Sequence, residues 1–221
     1  MKIFSSISIL LVMLMTSAFA QPAGFKYYTR GGIGTSTFIK EKNSTQAGKI
    51  AFNIGMAAHY QFNKNIGFIV EGNFVSKGSR IMGVEPGSIT SMPKNYEDVY
   101  KLFYAEIPFM LNLSYPVNDM LYIRGFSGLS YNLNLLGTYS RDYNESNNQD
   151  FYDQKIQGLN LTEFSVVYGF GLCVVDKTEH YYNLDFRVNT ALNSFGEIRN
   201  SENTMISGYN NYYTIGIGYS F

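Results

Sequence analysis

The stretch YYTIGIGYSF, Tyr212 to Phe221, sets Tyr213, Ile215, Ile217, Tyr219 and Phe221 on one side of an extended chain and Thr214, Gly216, Gly218 and Ser220 on the other. A period of two is the signature of a β-strand, whose successive side chains point to opposite faces. One face here is apolar and the other small or polar. A soluble sandwich and a membrane barrel both show this alternation, so the choice between them rests on the other strands.

The same alternation recurs at seven more places, giving candidate strands near residues 25–38, 49–62, 66–79, 102–115, 120–133, 160–174 and 180–195 before the last at 209–221. The connections alternate in length. Asn63 to Asn65, Pro116 to Asp119 and Asp176 to Glu179 make tight turns, whereas 39–48, 80–101, 134–159 and 196–208 are long and rich in Asn, Ser, Asp and Glu. In an up-and-down meander this order puts every tight turn on one side and every long loop on the other, the asymmetry of outer-membrane barrels with their short periplasmic turns.

Charge placement within the strands separates the two readings. Arg30, Glu71, Glu106, Arg124, Asp185 and Arg187 all fall on the small or polar face of their strands, opposite Phe52, Ile54, Met56, Phe68, Val70, Phe109, Leu111, Leu184 and Phe186. Three cations and three anions on one face suit a narrow lumen, where they neutralise one another, because a buried charge without a partner is strongly unfavourable. A continuous apolar outer surface would aggregate in water; lipid and a closed sheet satisfy both surface and backbone. The expected fold is therefore all-β: an eight-stranded antiparallel up-and-down transmembrane β-barrel of OmpA/OmpX-like architecture, its lumen a salt-bridged plug.

Aromatic residues on the apolar face gather near strand ends. Tyr60, Phe62, Phe68, Tyr115, Tyr182, Tyr219 and Phe221 lie toward the tight turns, and Phe52, Phe74, Phe103, Tyr131, Phe164 and Tyr213 toward the loops. From Phe52 to Tyr60 is roughly 26 Å along a strand and about 19 Å after tilting, close to the apolar band of an outer membrane. Tyrosine takes the interfacial place that tryptophan often fills.

Composition agrees. The 221 residues include 19 Tyr, 17 Phe and 21 Gly, with no Trp and only 15% charged residues, a mixture suited to strands and turns. The start MKIFSSISILLVMLMTSAFA, with Lys2, an apolar run from Ile7 to Met15 and Ala18, Phe19, Ala20, reads as a cleaved secretory signal over 1–20, leaving a single barrel domain over 21–221. Its removal takes Lys2 from the 17 basic side chains and nothing from the 17 acidic ones, so the mature chain is nearly neutral and nucleic acid is excluded as a partner. The single Cys173 cannot form an internal disulfide and is expected in the lumen as a packing residue.

Two stretches resemble the PorT-like family of small Bacteroidetes outer-membrane β-barrel proteins: VEGNFVSKGSR, Val70 to Arg80, and YAEIPFMLNLSY, Tyr104 to Tyr115. The resemblance extends loosely over 25–221 and implies a role in secretion or envelope assembly, with partner contacts on periplasmic turns or the lipid-facing wall. Ile217, Tyr219 and Phe221 resemble the C-terminal signature of Gram-negative outer-membrane proteins, which implies recognition by the barrel-insertion machinery. Pro108 removes a ladder donor inside a strand, and a bulge is expected there.

Eight strands leave an interior just filled by side chains, so a wide pore is disfavoured; a small porin for ions or small solutes is the alternative. Enzymes at the outer leaflet need a base within reach of a nucleophile. The two histidines, His59 and His180, both fall toward the tight-turn end, so a non-enzymatic protein without cofactor or metal is expected, His59 as a lumen hydrogen-bonding residue. GGIGTS, Gly31 to Ser36, lacks the helix a phosphate loop requires, and RDYNESNNQDFYD, Arg141 to Asp153, lacks the ligand spacing of a calcium loop. The expected partners are outer-membrane lipid, the insertion machinery and an envelope or extracellular protein. Contacts to that protein are expected from loop tyrosines Tyr96, Tyr100, Tyr139, Tyr143 and Tyr152.

Overall fold

The computed structural model describes residues 24–39, 45–85, 94–143, 151–177, 180–199 and 205–220. Eight long strands form a closed ring: β1 (Gly24–Ile39), β3 (Lys49–Gln61), β4 (Ile66–Glu85), β5 (Lys94–Pro116), β6 (Leu121–Tyr143), β8 (Thr162–Val175), β9 (Tyr181–Ala191) and β12 (Tyr209–Ser220). Each pairs antiparallel with the next, and β12 closes on β1 from Tyr28 opposite Ser220 to Ile39 opposite Tyr209. Closure leaves no strand edge exposed to lipid. Short β2 (Thr45–Ala47) and β7 (Phe151–Lys155) extend the sheet beside β4 and β6, and β10 (Glu197–Arg199) pairs with β11 (Met205–Ser207) as a separate hairpin.

The apolar face points outward throughout. Ile33, Ile54, Phe170, Ile215 and Ile217 are among the most exposed large side chains, and among the described residues no outward position between the two aromatic belts carries a charge. The upper belt is continuous across three strands, with ring centroids of Phe52 and Phe74 6.3 Å apart and those of Phe74 and Phe103 5.8 Å apart. At the other end Phe25 packs on Tyr60 at 4.8 Å and Tyr182 on Tyr219 at 5.3 Å. Phe221, expected as the lowest member of that belt, lies outside the described residues, as does the expected signal segment 1–20.

Two expectations are corrected. Residues 80–101 and 134–159, expected as loops, are largely strand: β4 continues to Glu85, β5 begins at Lys94 and β6 runs to Tyr143. Their polar composition resembles a loop, yet Asp98, Tyr100 and Leu102 keep the inward alternation of the strand below them. Both β5 and β6 have 23 residues, which at about 3.3 Å per residue and a tilt near 45° gives roughly 54 Å of height against an apolar band of about 25 Å. The hairpin therefore stands well clear of the membrane.

Pro108 causes no bulge. The register of β4 on β5 is the same on both sides, Val70 with Phe109 and Asn73 with Glu106, and the ladder omits the positions between them, where proline has no N–H to offer. The irregularity between β5 and β6 lies higher, where Phe103 faces Leu136 and Tyr104 faces Asn134, so Leu135 is the extra residue. A single inserted residue reverses the in-out sense of everything beyond it.

Candidate functional site: a filled lumen and its two ends

Inward-facing side chains stack in layers. Nearest the tight turns is a polar cavity, closed above by a collar of Tyr28, Ala57, Ile69, Met110, Phe126 and Val167. Over the collar lies an ionic lattice. Arg187 donates to Glu71 from Nη1 at 2.6 Å and Nη2 at 2.8 Å, and its Nε reaches Asp185 at 3.3 Å. Arg30 grips Asp185 from the other side at 2.6 and 3.2 Å. The Tyr28 hydroxyl and the Asn73 amide donate the remaining bonds to Glu71 at 3.1 and 2.9 Å. All four ions are 4% exposed or less, and two cations with two anions balance there.

Two members of the sequence-derived set stand apart from that lattice, correcting the expectation of one mutually compensating group. Glu106 has no cationic partner within ion-pair distance among the described residues; it accepts from the Tyr212 hydroxyl at 2.8 and 2.7 Å and from the Asn189 amide at 3.1 Å. Arg124 lies below the collar, its Nη1 donating to Asn183. A second ion pair, which the six-residue set leaves out, sits above: Lys77 Nζ is 2.5 Å from Glu163 and 4.1 Å from the Tyr104 ring centre. Both share the in-facing parity of their strands, so the alternation already held that information.

The end opposite the tight turns is shut by an apolar cap. The projecting sheet contributes Ile81, Tyr100, Leu102, Tyr104 and Tyr139; Phe38 comes from β1, Ile156 from the segment after β7, and Phe195, Ile198 and Ile206 from the β10–β11 region. Gly158 (φ 83°) and Gly196 (φ 114°) lie where those two segments touch, and a Cβ on Gly196 would sit 2.3 Å from the Gly158 carbonyl oxygen. Only glycine takes such a backbone without strain. Below the cap, β4 leaves β3 after Ser76 and its Gly78 is held at both N and O by the Ser36 hydroxyl of β1, each at 2.8 Å.

The loop tyrosines are relocated as well. Tyr96, Tyr100, Tyr139 and Tyr143 are strand residues, with Tyr100 and Tyr139 buried in the cap rather than displayed. Burial, with Asp98 close by, pushes the Tyr100 hydroxyl well above the ordinary tyrosine pKa. Tyr96 and Tyr143 flank the Arg141 guanidinium, which binds the facing Asp98 in register at 2.6 and 2.9 Å. The Tyr152 side chain and residues 144–150 lie outside the described residues. His59 Nε2 has no partner among the described residues, while His180 Nδ1 lies 3.2 Å from the Ser220 carbonyl oxygen at the tight-turn end. Among the described residues no cluster of three His, Cys, Asp or Glu is placed to hold a metal ion.

A closed eight-stranded wall, greasy outside and ionic within, is the architecture of outer-membrane barrels, and the family model for the outer membrane protein beta-barrel domain matches residues 6–221. The chain belongs to that family. Members are proteins of the Gram-negative outer membrane, which accounts for the lipid-facing exterior. No curated protein matches the chain. Among solved structures it is similar to a major outer membrane protein from Thermus thermophilus, at 11% identity over 90% of this chain and 100% of that one, with a TM-score of 0.47. OprG from Pseudomonas aeruginosa aligns at 13% identity over 90% and 97%, with a TM-score of 0.46. Neisserial surface protein A aligns at 14% identity over 90% and 99%, with a TM-score of 0.45.

Proposed function

We propose that this outer-membrane barrel is a non-enzymatic interaction protein of the cell envelope, one that offers a partner its projecting extracellular sheet and conducts no solute. The observation that carries the reading is the combination of a lumen filled by paired ions and apolar layers with a wall continued far beyond the upper aromatic belt. Material spent on extending a closed barrel creates surface, not passage. Met82 and Val84 on the projecting part of β4 are 46% and 60% exposed, at a height where lipid no longer covers them, and exposed apolar side chains of that kind favour a protein contact.

The Val70 to Arg80 and Tyr104 to Tyr115 stretches support placement in the PorT-like group of Bacteroidetes, with residues 1–20 as the cleaved export signal and 21–221 as the mature barrel inserted through Ile217, Tyr219 and Phe221. In that setting the partner belongs to a secretion or envelope assembly. Photocrosslinking in intact cells tests the reading. A photoreactive residue at Val84 is expected to give protein adducts and one at Asp119, on a tight turn, none; adducts from Asp119 alone would move the contact to the periplasmic side.

A further inference from the structure

Four cations gather on the wall just above the upper aromatic belt. Lys101 is two residues above Phe103 on β5, and Lys49 is three above Phe52 on β3. At about 3.3 Å per residue and a tilt near 45° this is roughly 5 and 7 Å of height, the depth of lipid headgroups outside the hydrocarbon core. Lys101 pairs with Thr138, and Thr138 with the exposed Lys155 of β7, so the two lysines share the outward face two strands apart. Arg80, its side chain 44% exposed, is one outward position above Gly78, the residue that pairs with Lys101. Lys49 donates from Nζ to the Ile50 carbonyl oxygen at 3.2 Å and lies within electrostatic reach of both Lys101 and Arg80.

The acids of this face stand higher among the described residues. Glu97, paired with Met82, is 3.3 Å from Arg80, and Asp142 is paired with Glu97. Gly78, Thr138 and Lys155, which share the level of Lys101, bring no acid to it. The tight turns at the opposite end are balanced by contrast, Lys64 and Lys177 standing against Asp119 and Asp176 among the described residues. Like charges gathered at one depth repel, and an anion between them removes the penalty. The row of cations runs from β3 to β7, about 19 Å at roughly 4.8 Å per strand, which suits a broad headgroup with more than one phosphate. Directly beneath it the Phe52, Phe74 and Phe103 rings form an unbroken apolar ridge.

We propose that this part of the wall binds a phosphorylated glycolipid of the outer leaflet, of the lipopolysaccharide type, its phosphates among Lys49, Arg80, Lys101 and Lys155 and its acyl chains along the Phe52, Phe74 and Phe103 ridge. The inference shares with the proposed function the orientation that turns the projecting sheet away from the periplasm. Binding measured in micelles depends neither on that orientation nor on a protein partner, so the two readings fail separately.

The full chain, refolded in detergent micelles, is mixed with bisphosphorylated lipid A, the same lipid stripped of phosphate, or phosphatidylglycerol, and retained lipid is counted by native mass spectrometry. Bisphosphorylated lipid A is expected to bind more tightly than the other two. Each cation lost should weaken it about fivefold, so Lys101→Gln with Lys155→Gln weakens it roughly twentyfold. Lys101→Arg with Lys155→Arg should restore binding, and Lys64→Gln with Lys177→Gln, which removes the same charge from the other rim, should leave it unchanged. Circular dichroism establishes that each variant is folded; should the double glutamine variant not fold, Lys155→Gln alone decides. Equal binding of the phosphate-free lipid or of phosphatidylglycerol, equal weakening by the Lys64 and Lys177 pair, or displacement by inorganic phosphate at the lipid's own concentration overturns the proposal.

Discussion

Glu71 on β4 and Arg187 on β9 stand on strands directly across the ring from one another, and two hydrogen bonds of 2.6 and 2.8 Å join them through the centre of the barrel. Glu106 on β5 and Tyr212 on β12 form a second such brace. Neighbouring strands are already tied by their ladders; these pairs tie opposite walls.

Removing one end of the first brace leaves the other ion buried without its partner. Arg187→Gln is expected to cost about 3 to 5 kcal/mol. Glu71→Gln should cost less, because Arg187 keeps Asp185 at 3.3 Å. The double variant is expected to be less destabilised than the two single costs together. With no tryptophan in the chain, urea unfolding in lipid vesicles is followed by tyrosine fluorescence and circular dichroism, and strict additivity would argue against the brace.

Planar-bilayer recordings of the wild type are expected to show no steady openings. Replacing 197–207 with a short Gly/Ser linker removes the cap hairpin and should leave the barrel closed, since the ionic layers lie beneath it. Glu106→Ala with Tyr212→Ala opens the middle of the lumen, and measurable conductance is expected from that variant. Steady openings produced by cap removal alone would place the seal in the cap.

Gly196→Ala puts a Cβ 2.3 Å from the Gly158 carbonyl oxygen at a φ of 114°. A local cost of about 1 to 3 kcal/mol is expected. Amide hydrogen exchange should accelerate in β10, β11 and the Ile156 to Leu159 segment, while β1 and β12 exchange as before. Uniform acceleration in every strand would show that the cap and the barrel unfold as one unit.

Outward charge should be penalised by depth. Ile215→Arg, near the middle of the apolar band, is expected to destabilise by about 2 to 4 kcal/mol, and Ile39→Arg, at the loop end of β1, by about 0 to 1 kcal/mol. Equal costs in vesicle unfolding experiments would place the band elsewhere on the wall.

The alternation that begins at Tyr213 and recurs through the chain is enough to assign Arg30, Glu71, Asp185 and Arg187 to one face, and the same parity covers Lys77 and Glu163. It does not reach Arg141, because the extra Leu135 reverses the sense of β6 between Asn132 and that residue. Nor does polar composition mark where a strand ends: Asp98 and Arg141 look like loop residues until they are seen paired across two strands.

Within an unbroken run of strand, which side of the wall a residue faces is carried by the order of residues alone, since a period of two is a local property of an extended backbone. Which residues meet inside is a matter of closure. Glu71 and Arg187 are 116 positions apart, and ring size and stagger bring them level; the same closure leaves Arg124 below the collar, out of reach of the acids that parity had grouped with it.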